Sequence, residues 1–355
     1  MKILYGVTGE GLGHTMRARA LVQHLVAAGH QVKIAASGRA VAVLRQHHPD
    51  TVAIDGLRIA YERGAVNRRR TLLQNLRVAR SALAHNIEVG MEDGLDFDPD
   101  VVVTDFDSFA YVIGRLLERP IISFDHQHVL DRFHHTRSLR RTLAADFAAT
   151  RVFVHAKTPR CDHFVVTSFF FPEVRARYAS TTTLVGPVVR NEIASTRPTS
   201  GDHVLVYQTA SGDPNLLPAL RATPHTEFVV YGLGAERRDG NVHMRSFDEA
   251  RFIHDLAGAR AVVSNGGFTT LSEAIYLGKP VLSVPVRHQA EQELNAAYLE
   301  SLGLGMRAAR VDAHVLARFL DRVGDFHPST DWRMKRGNAD ACAAIDALLA
   351  RAEAA

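Results

Sequence analysis

The chain has 355 residues, 46% of them hydrophobic and 23% charged, with a formal net charge of +4. That length accommodates two domains of the usual ~100–200 residues, and the balance excludes an intrinsically disordered class. Two cysteines, Cys161 and Cys342, are too few for a disulfide framework and point to the reducing cytoplasm, while no apolar run reaches the ~20 residues that span a bilayer.

Along the chain, short β-branched runs alternate with helical patterns. The opening residues 2–7 are too short an apolar run for a signal peptide and read as a first core strand. Further strands are expected over residues 31–36, 101–104, 120–123, 151–154 and 183–185, with helices such as 15–28 and 109–117 between them. Continuous runs such as Val101-Val102-Val103 indicate parallel strands covered on both faces. Within this half, Arg68, Arg69, Arg70, Arg77 and Arg80 fall among Leu72, Leu73, Leu76 and Val78. That stretch is either a solvated helix face or a dock for anionic lipid at the inner face of the membrane. No aromatic side chains are interleaved with its arginines, so nucleic acid is not an expected partner.

Residues 191–202, rich in Ser, Thr and Pro, read as a linker. The pattern then restarts with strands over 203–208, 227–231, 261–264 and 281–284, and ends in an Ala-rich helix over 331–355. The expected class is α/β, with two Rossmann-like doubly wound domains over 1–190 and 203–330. The terminal helix is expected to pack back on the first.

Three loops could hold a phosphorylated ligand. The first, Gly9-Glu10-Gly11-Leu12-Gly13-His14, follows strand one. It lacks the acidic residue that a dinucleotide fingerprint requires after strand two, so it is expected to shape a cleft rather than bind a dinucleotide. His14 at the helix start suits a general base or, more plainly, a helix cap. The second loop is Thr209-Ala210-Ser211-Gly212. The third, and the most specific, runs Ser264-Asn265-Gly266-Gly267-Phe268-Thr269-Thr270-Leu271-Ser272-Glu273, where a strand ends in paired glycines and a helix begins, a ready anion site. Asp96-Phe97-Asp98 and Asp105-Phe106-Asp107 have the form of a metal motif, and His126-Gln127-His128 and His134-His135 that of partial ligand sets. Neither has a third ligand at fixed spacing, so no metal is expected.

Gly266, Gly267, Thr270, Glu273, Gly278, Pro280, Glu291, Gln292 and Asn295 together resemble the donor-binding core of GT-B glycosyltransferases, of glycosyltransferase family 28 and family 1. The peptidoglycan N-acetylglucosaminyltransferases and macrolide-type enzymes belong there. The resemblance implies two domains facing a central cleft. It also implies an inverting, metal-independent transfer of a hexose from a UDP- or dTDP-sugar to a small-molecule or lipid-linked acceptor, with no cofactor. In the donor half it implies that Glu273 grips the ribose. Gly267, Phe268, Thr269 and Thr270 hold the diphosphate with Ser211 and Gly212, Glu291 and Gln292 hold the hexose, and Phe247 brackets the base. In the acceptor half, Gly11, Gly13, His126 and His128 would line the cleft, and His14 would deprotonate the acceptor with Asp105, preferred to Asp107, behind it. Gly13-His14-Thr15-Met16-Arg17 is also similar to nucleotide-sugar hydrolases of nonulosonate pathways, which would make water the acceptor. A nucleotide-sugar 2-epimerase is a more distant alternative of the same architecture.

Overall fold

The computed structural model describes every residue except Glu10, Arg63, Gly64, residues 209–213, Ala235, residues 328–331 and Ala355, together with the side chains of Tyr61, Arg68, Leu72, Ser138, residues 140–146 and Trp332. The expected donor residues Ser211 and Gly212 therefore lie outside the described residues.

The strands in chain order begin with β1 (Lys2–Val7), β2 (Gln31–Ser37) and β3 (Val52–Ile54), then a small hairpin of β4 (Tyr61–Glu62) and β5 (Ala65–Val66). Next come β6 (Val101–Asp105), β7 (Ile121–Asp125), β8 (His163–Thr167) and β9 (Thr182–Val185). The remainder are β10 (Val204–Tyr207), β11 (Phe228–Tyr231), β12 (Arg237–Asp239), β13 (Val242–Arg245), β14 (Ala261–Ser264), β15 (Val281–Ser283) and β16 (Gly305–Arg307). Two seven-stranded sheets result, ordered β3-β2-β1-β6-β7-β8-β9 and β12-β13-β11-β10-β14-β15-β16. The first is parallel throughout, and the second is parallel except for β12. Val101, Val102 and Val103 are each fully buried, as continuous apolar strands in a doubly covered sheet must be. In both sheets the strand order reverses beside the first strand, at β1/β6 and at β10/β14. Crevices that bind ligands in open α/β sheets form at such switch points, beyond the carboxyl ends of the strands.

The chain divides into two compact units, one of residues 1–60, 68–188 and 335–355, the other of residues 61–67 and 189–334. The expected linker does not behave as one. Asn191–Ser195 is helical with Ile193 buried. The Thr199 amide donates to the Ala257 carbonyl at 2.9 Å, and the Gly201 amide to that of Gly258 at 2.8 Å. Composition marks such a segment as polar, but one buried isoleucine and paired backbone groups are enough to seat it. The 61–67 hairpin joins the second unit by a bridge from Ala65 to Arg287. In the Trp332–Glu353 helix, Ala341, Ile345 and Leu349 enter the core of the first unit beside Leu21 and Leu25.

The strand expected over 151–154 is instead part of the Arg137–Lys157 helix. Val154 is buried while Val152 and Phe153 are 70% and 46% exposed. The β-branched run is one edge of a helical face, which a short window cannot separate from a strand.

Candidate active site

At the first switch point, the loop after β1 is pressed against the end of β2. A Cβ on Gly9 would lie 1.9 Å from the Ser37 carbonyl oxygen, so only glycine fits. The Leu12–Ala27 helix starts three residues earlier than its pattern suggests, placing His14 inside the first turn with Arg17 one turn on along the same face. β6 delivers Asp105 opposite them. The His14 Nδ1 lies 2.7 Å from Asp105 Oδ1, and Arg17 Nε donates to Asp105 Oδ2 at 3.0 Å. Arg17 Nη2 donates to Oδ1 at 2.5 Å. Asp105 is fully buried, with Arg17 3% and His14 8% exposed. Burial alone would lower the Arg17 guanidinium, but the charge and hydrogen bonds of Asp105, with the Asp125 charge, together raise it. The imidazole and the guanidinium thus share Asp105 Oδ1, with Arg17 Nη2 3.1 Å from His14 Nδ1, and the fixed cation neutralises the carboxylate.

Asp107 serves otherwise. Its Oδ1 accepts from the Ala110 amide at 2.9 Å and caps the Ser108–Leu116 helix. Burial pushes this carboxyl up, against the pull of the Ala110 amide and of Lys157. Between the two aspartates Phe106 stands at φ 55°, the left-handed region that costs a side-chain-bearing residue about 1–3 kcal/mol. Its ring stacks on His14 at 6.5 Å between centroids, and Lys157 Nζ lies 4.2 Å over it.

The expected cleft histidines are placed differently. His126 is fully buried with Nδ1 2.8 Å from the Thr167 carbonyl. His128 is 2% exposed with Nδ1 2.7 Å from Asp125 Oδ2. Both rings, just past the end of β7, are buried, and each satisfies a buried polar group. Gln127 between them is the one that reaches the site, with Nε2 3.1 Å from His14 Nε2.

At the second switch point the Phe268–Tyr276 helix opens at Gly267, with no side-chain cap and no acidic residue in its first turn. A Cβ on Gly267 would meet nothing within 4 Å, whereas one on Gly266 would lie 2.6 Å from the Gln292 carbonyl oxygen. One glycine is open to a ligand and the other closes the loop on the Ala290–Ser301 helix. Thr269 and Thr270 are half-buried in the first turn, and Glu291 is half-buried at the start of the next helix. Gln292 Oε1 accepts from the Val286 amide at 3.0 Å, so its carbonyl fastens the loop and only its NH2 can serve a sugar.

Glu273, expected to grip the ribose, has a protein partner here. It is 1% exposed, and both its oxygens are 2.6 Å from Arg190, one from Nε and one from Nη2. Arg190 also donates to Glu249 at 3.0 Å. Burial would lower the Arg190 guanidinium, but the charges and hydrogen bonds of Glu273 and Glu249 together raise it. A carboxylate so buried takes the strongest donor in reach, here a bidentate guanidinium. At the end of β13, Phe247 is 44% exposed and packs on Phe252 and Tyr231.

The family model for glycosyl transferase family 1 matches residues 1–324. The chain belongs to that family. Two relatives, each described as an uncharacterized glycosyltransferase, come from Methanosarcina mazei and Methanosarcina acetivorans. They are 27% and 28% identical over 86% of this chain and 86% and 83% of their own length. Among solved structures, the glycotransferase of kitacinnamycin aligns with a TM-score of 0.65 at 19% identity, covering 99% of this chain and 98% of the other. The calicheamicin glycosyltransferase aligns with a TM-score of 0.61, also at 19% identity, over the same shares. The two parallel-dominated sheets are accordingly those of a GT-B glycosyltransferase.

This glycosyltransferase also has a cavity of about 320 Å³ inside its first unit, lined by Thr8, Leu57, Leu76, Ala79, Asp107 and Phe109 among others. It forms because the Arg68–Val89 helix is fastened to the loop after β3. Asn86 bonds both the amide and carbonyl of Asp55, at 2.8 and 2.9 Å. Asn75 does the same to Arg58, at 3.0 and 2.7 Å. Reading the sequence missed Arg17, Gln127, Arg190 and these asparagines. Only Arg17 carried a signal, its three-residue spacing from His14.

Proposed function

We propose that this glycosyltransferase moves a hexose from a uridine-type nucleotide sugar to an acceptor hydroxyl with inversion and without a metal ion. The observation that carries the reading is the 2.7 Å contact between His14 Nδ1 and buried Asp105. With Nδ1–H donated to the carboxylate, the ring's lone pair is on Nε2, the atom a general base needs. The acceptor oxygen attacks C1 as its proton passes to Nε2. The bond from C1 to the diphosphate breaks, and its electron pair leaves on the phosphate. The uncapped helix start at Gly267–Thr270 offers amide N–H groups to that charge. Phe247 offers an exposed ring for the base.

The 320 Å³ cavity beside Asp107 is the acceptor's place in this reading. Leu76, on its wall, continues outward as Leu73, Leu83 and Ile87, 47% to 62% exposed, on the helix that carries exposed Arg69, Arg70, Arg77 and Arg80. That face suits an acceptor with a long apolar part, presented at an anionic surface. Among the described residues no helix is long and apolar enough to cross a membrane, so contact would be peripheral. Flotation with phosphatidylglycerol vesicles is expected to carry the protein at low salt and release it at high salt. Equal flotation on neutral vesicles would argue against an electrostatic dock.

The donor assignment is tested by thermal shift with a panel of nucleoside diphosphates and nucleotide sugars. UDP-type ligands are expected to raise Tm most and dTDP-type next, by linkage, with turnover indifferent to EDTA. A purine diphosphate that outperforms both would overturn the donor assignment.

A further inference from the structure

Gln127 lies in a turn whose backbone has little choice. The Val129 amide donates to the His126 carbonyl at 3.0 Å, the Leu130 amide to that of Gln127 at 3.1 Å, and the His128 amide to Asp125 Oδ1 at 2.9 Å. The rings on either side are committed, His126 to Thr167 and His128 to Asp125. The side chain of Gln127 is itself held, its Oε1 accepting from the His126 amide at 3.3 Å. That contact orients the carboxamide, with the oxygen toward the backbone and the NH2 toward His14 Nε2, 3.1 Å away. An amide NH2 only donates, so it requires the lone pair at Nε2, while Asp105 requires the N–H at Nδ1. Arg17 Nη2 also lies 3.1 Å from Nδ1 but is engaged with Asp105 Oδ1, so the Gln127 NH2 is the neighbour that selects the tautomer. The NH2 also stands on the lone pair that the acceptor must reach.

We propose that Gln127 caps the base: it occupies the Nε2 lone pair until the acceptor hydroxyl exchanges with it, and so withholds that lone pair from water. This rests on the reading of His14 as the base. A lone water would have to displace a pre-positioned amide with no other contact to help it. An acceptor held by the rest of its surface brings its hydroxyl at high effective concentration. Without the cap, water donates to Nε2 and its oxygen attacks C1 of the donor. The bond from C1 to the diphosphate breaks with its electron pair on the phosphate, and the proton rests on His14. The products are free sugar and nucleoside diphosphate. Gln127 is in this sense a positioning residue that sets the ratio of transfer to hydrolysis.

The test compares wild type, Q127A, Q127E and the H14A/Q127A double variant with UDP-glucose and dTDP-glucose as probe donors and no acceptor. Histidine ¹⁵N spectra, in which His14 is assigned by its loss in H14A, provide a readout that needs no donor. Q127A is expected to hydrolyse donor about tenfold faster than wild type or more, a modest share of what a general base supplies. Its Nδ1–H signal stays, because the tautomer is kept when exchanging water replaces the amide donor at Nε2. Q127E presents only acceptor oxygens, favours a protonated Nε2, and hydrolyses more slowly than wild type. Hydrolysis by Q127A at or below the wild-type rate, or a wild-type His14 that carries its proton on Nε2, overturns the cap. Rapid hydrolysis that persists in H14A/Q127A would instead show that His14 is not the base, a separate failure.

Discussion

Replacing His14 by alanine is expected to lower kcat for transfer by about 10²–10⁴-fold, the range general-base catalysis supplies, while donor affinity stays within about twofold. The split follows from where the residue sits. His14 belongs to the first unit, bonded to Asp105 and Gln127, and the open glycine and uncapped helix start that suit a diphosphate belong to the second. A group that acts only as the proton moves changes kcat without changing ground-state binding. Asp105→Asn should lose less, because an amide still orients the ring, but it also strips Arg17 of its counter-charge and should lower Tm. Isothermal titration with UDP beside steady-state rates separates the two constants. A His14→Ala variant that loses UDP affinity and keeps its turnover would reverse the assignment.

Glu273→Gln is expected to be the most destabilising single substitution in the second unit. It leaves the Arg190 guanidinium, 4% exposed, without its bidentate partner. Breaking a buried pair on one side costs about 3–5 kcal/mol. The remaining bond from Arg190 to Glu249, whose side chain is 31% exposed, holds the loss near the lower end. For a unit of this size about 3 kcal/mol corresponds to a fall in Tm of roughly 6–12 °C. Arg190→Met should destabilise comparably, and the double variant should recover much of the loss, since removing both charges orphans neither. Thermal unfolding of the three variants gives the coupling energy directly. If Glu273→Gln left Tm unchanged and weakened UDP instead, the carboxylate would be a ligand for the pentose, as the family resemblance implies, and the pairing with Arg190 would be incidental.

These two residues illustrate how differently a motif and a structure speak. His14 could be singled out because a glycine-rich turn running into a helix is a local event, written in contiguous residues whose conformational needs are fixed by their own covalent structure. The spacing of Glu273 from Gly267 was equally visible, and so was the resemblance built on it. Its partner, however, is 83 positions away, at the last residue of what reads as the first domain. Charge pairing across such separations leaves no periodicity behind. The same holds for His126 and His128, which look like site residues from their spacing and prove to be buried, bonded to Thr167 and Asp125.

The architecture was largely determined by the amino-acid sequence itself. Unbroken valine and isoleucine runs demand a sheet covered on both faces, their alternation with helical periods demands parallel crossovers, and glycines placed after strands demand turns that only glycine can make. What only the tertiary structure decided is which polar side chains meet. Whether Asp105 or Asp107 faces His14, whether a glutamate is open or sealed by an arginine, and which of three consecutive residues after β7 reaches His14 depend on registers and twists set by packing the whole sheet. In a buried, low-dielectric interior each of those groups must take the nearest partner that folding brings to it.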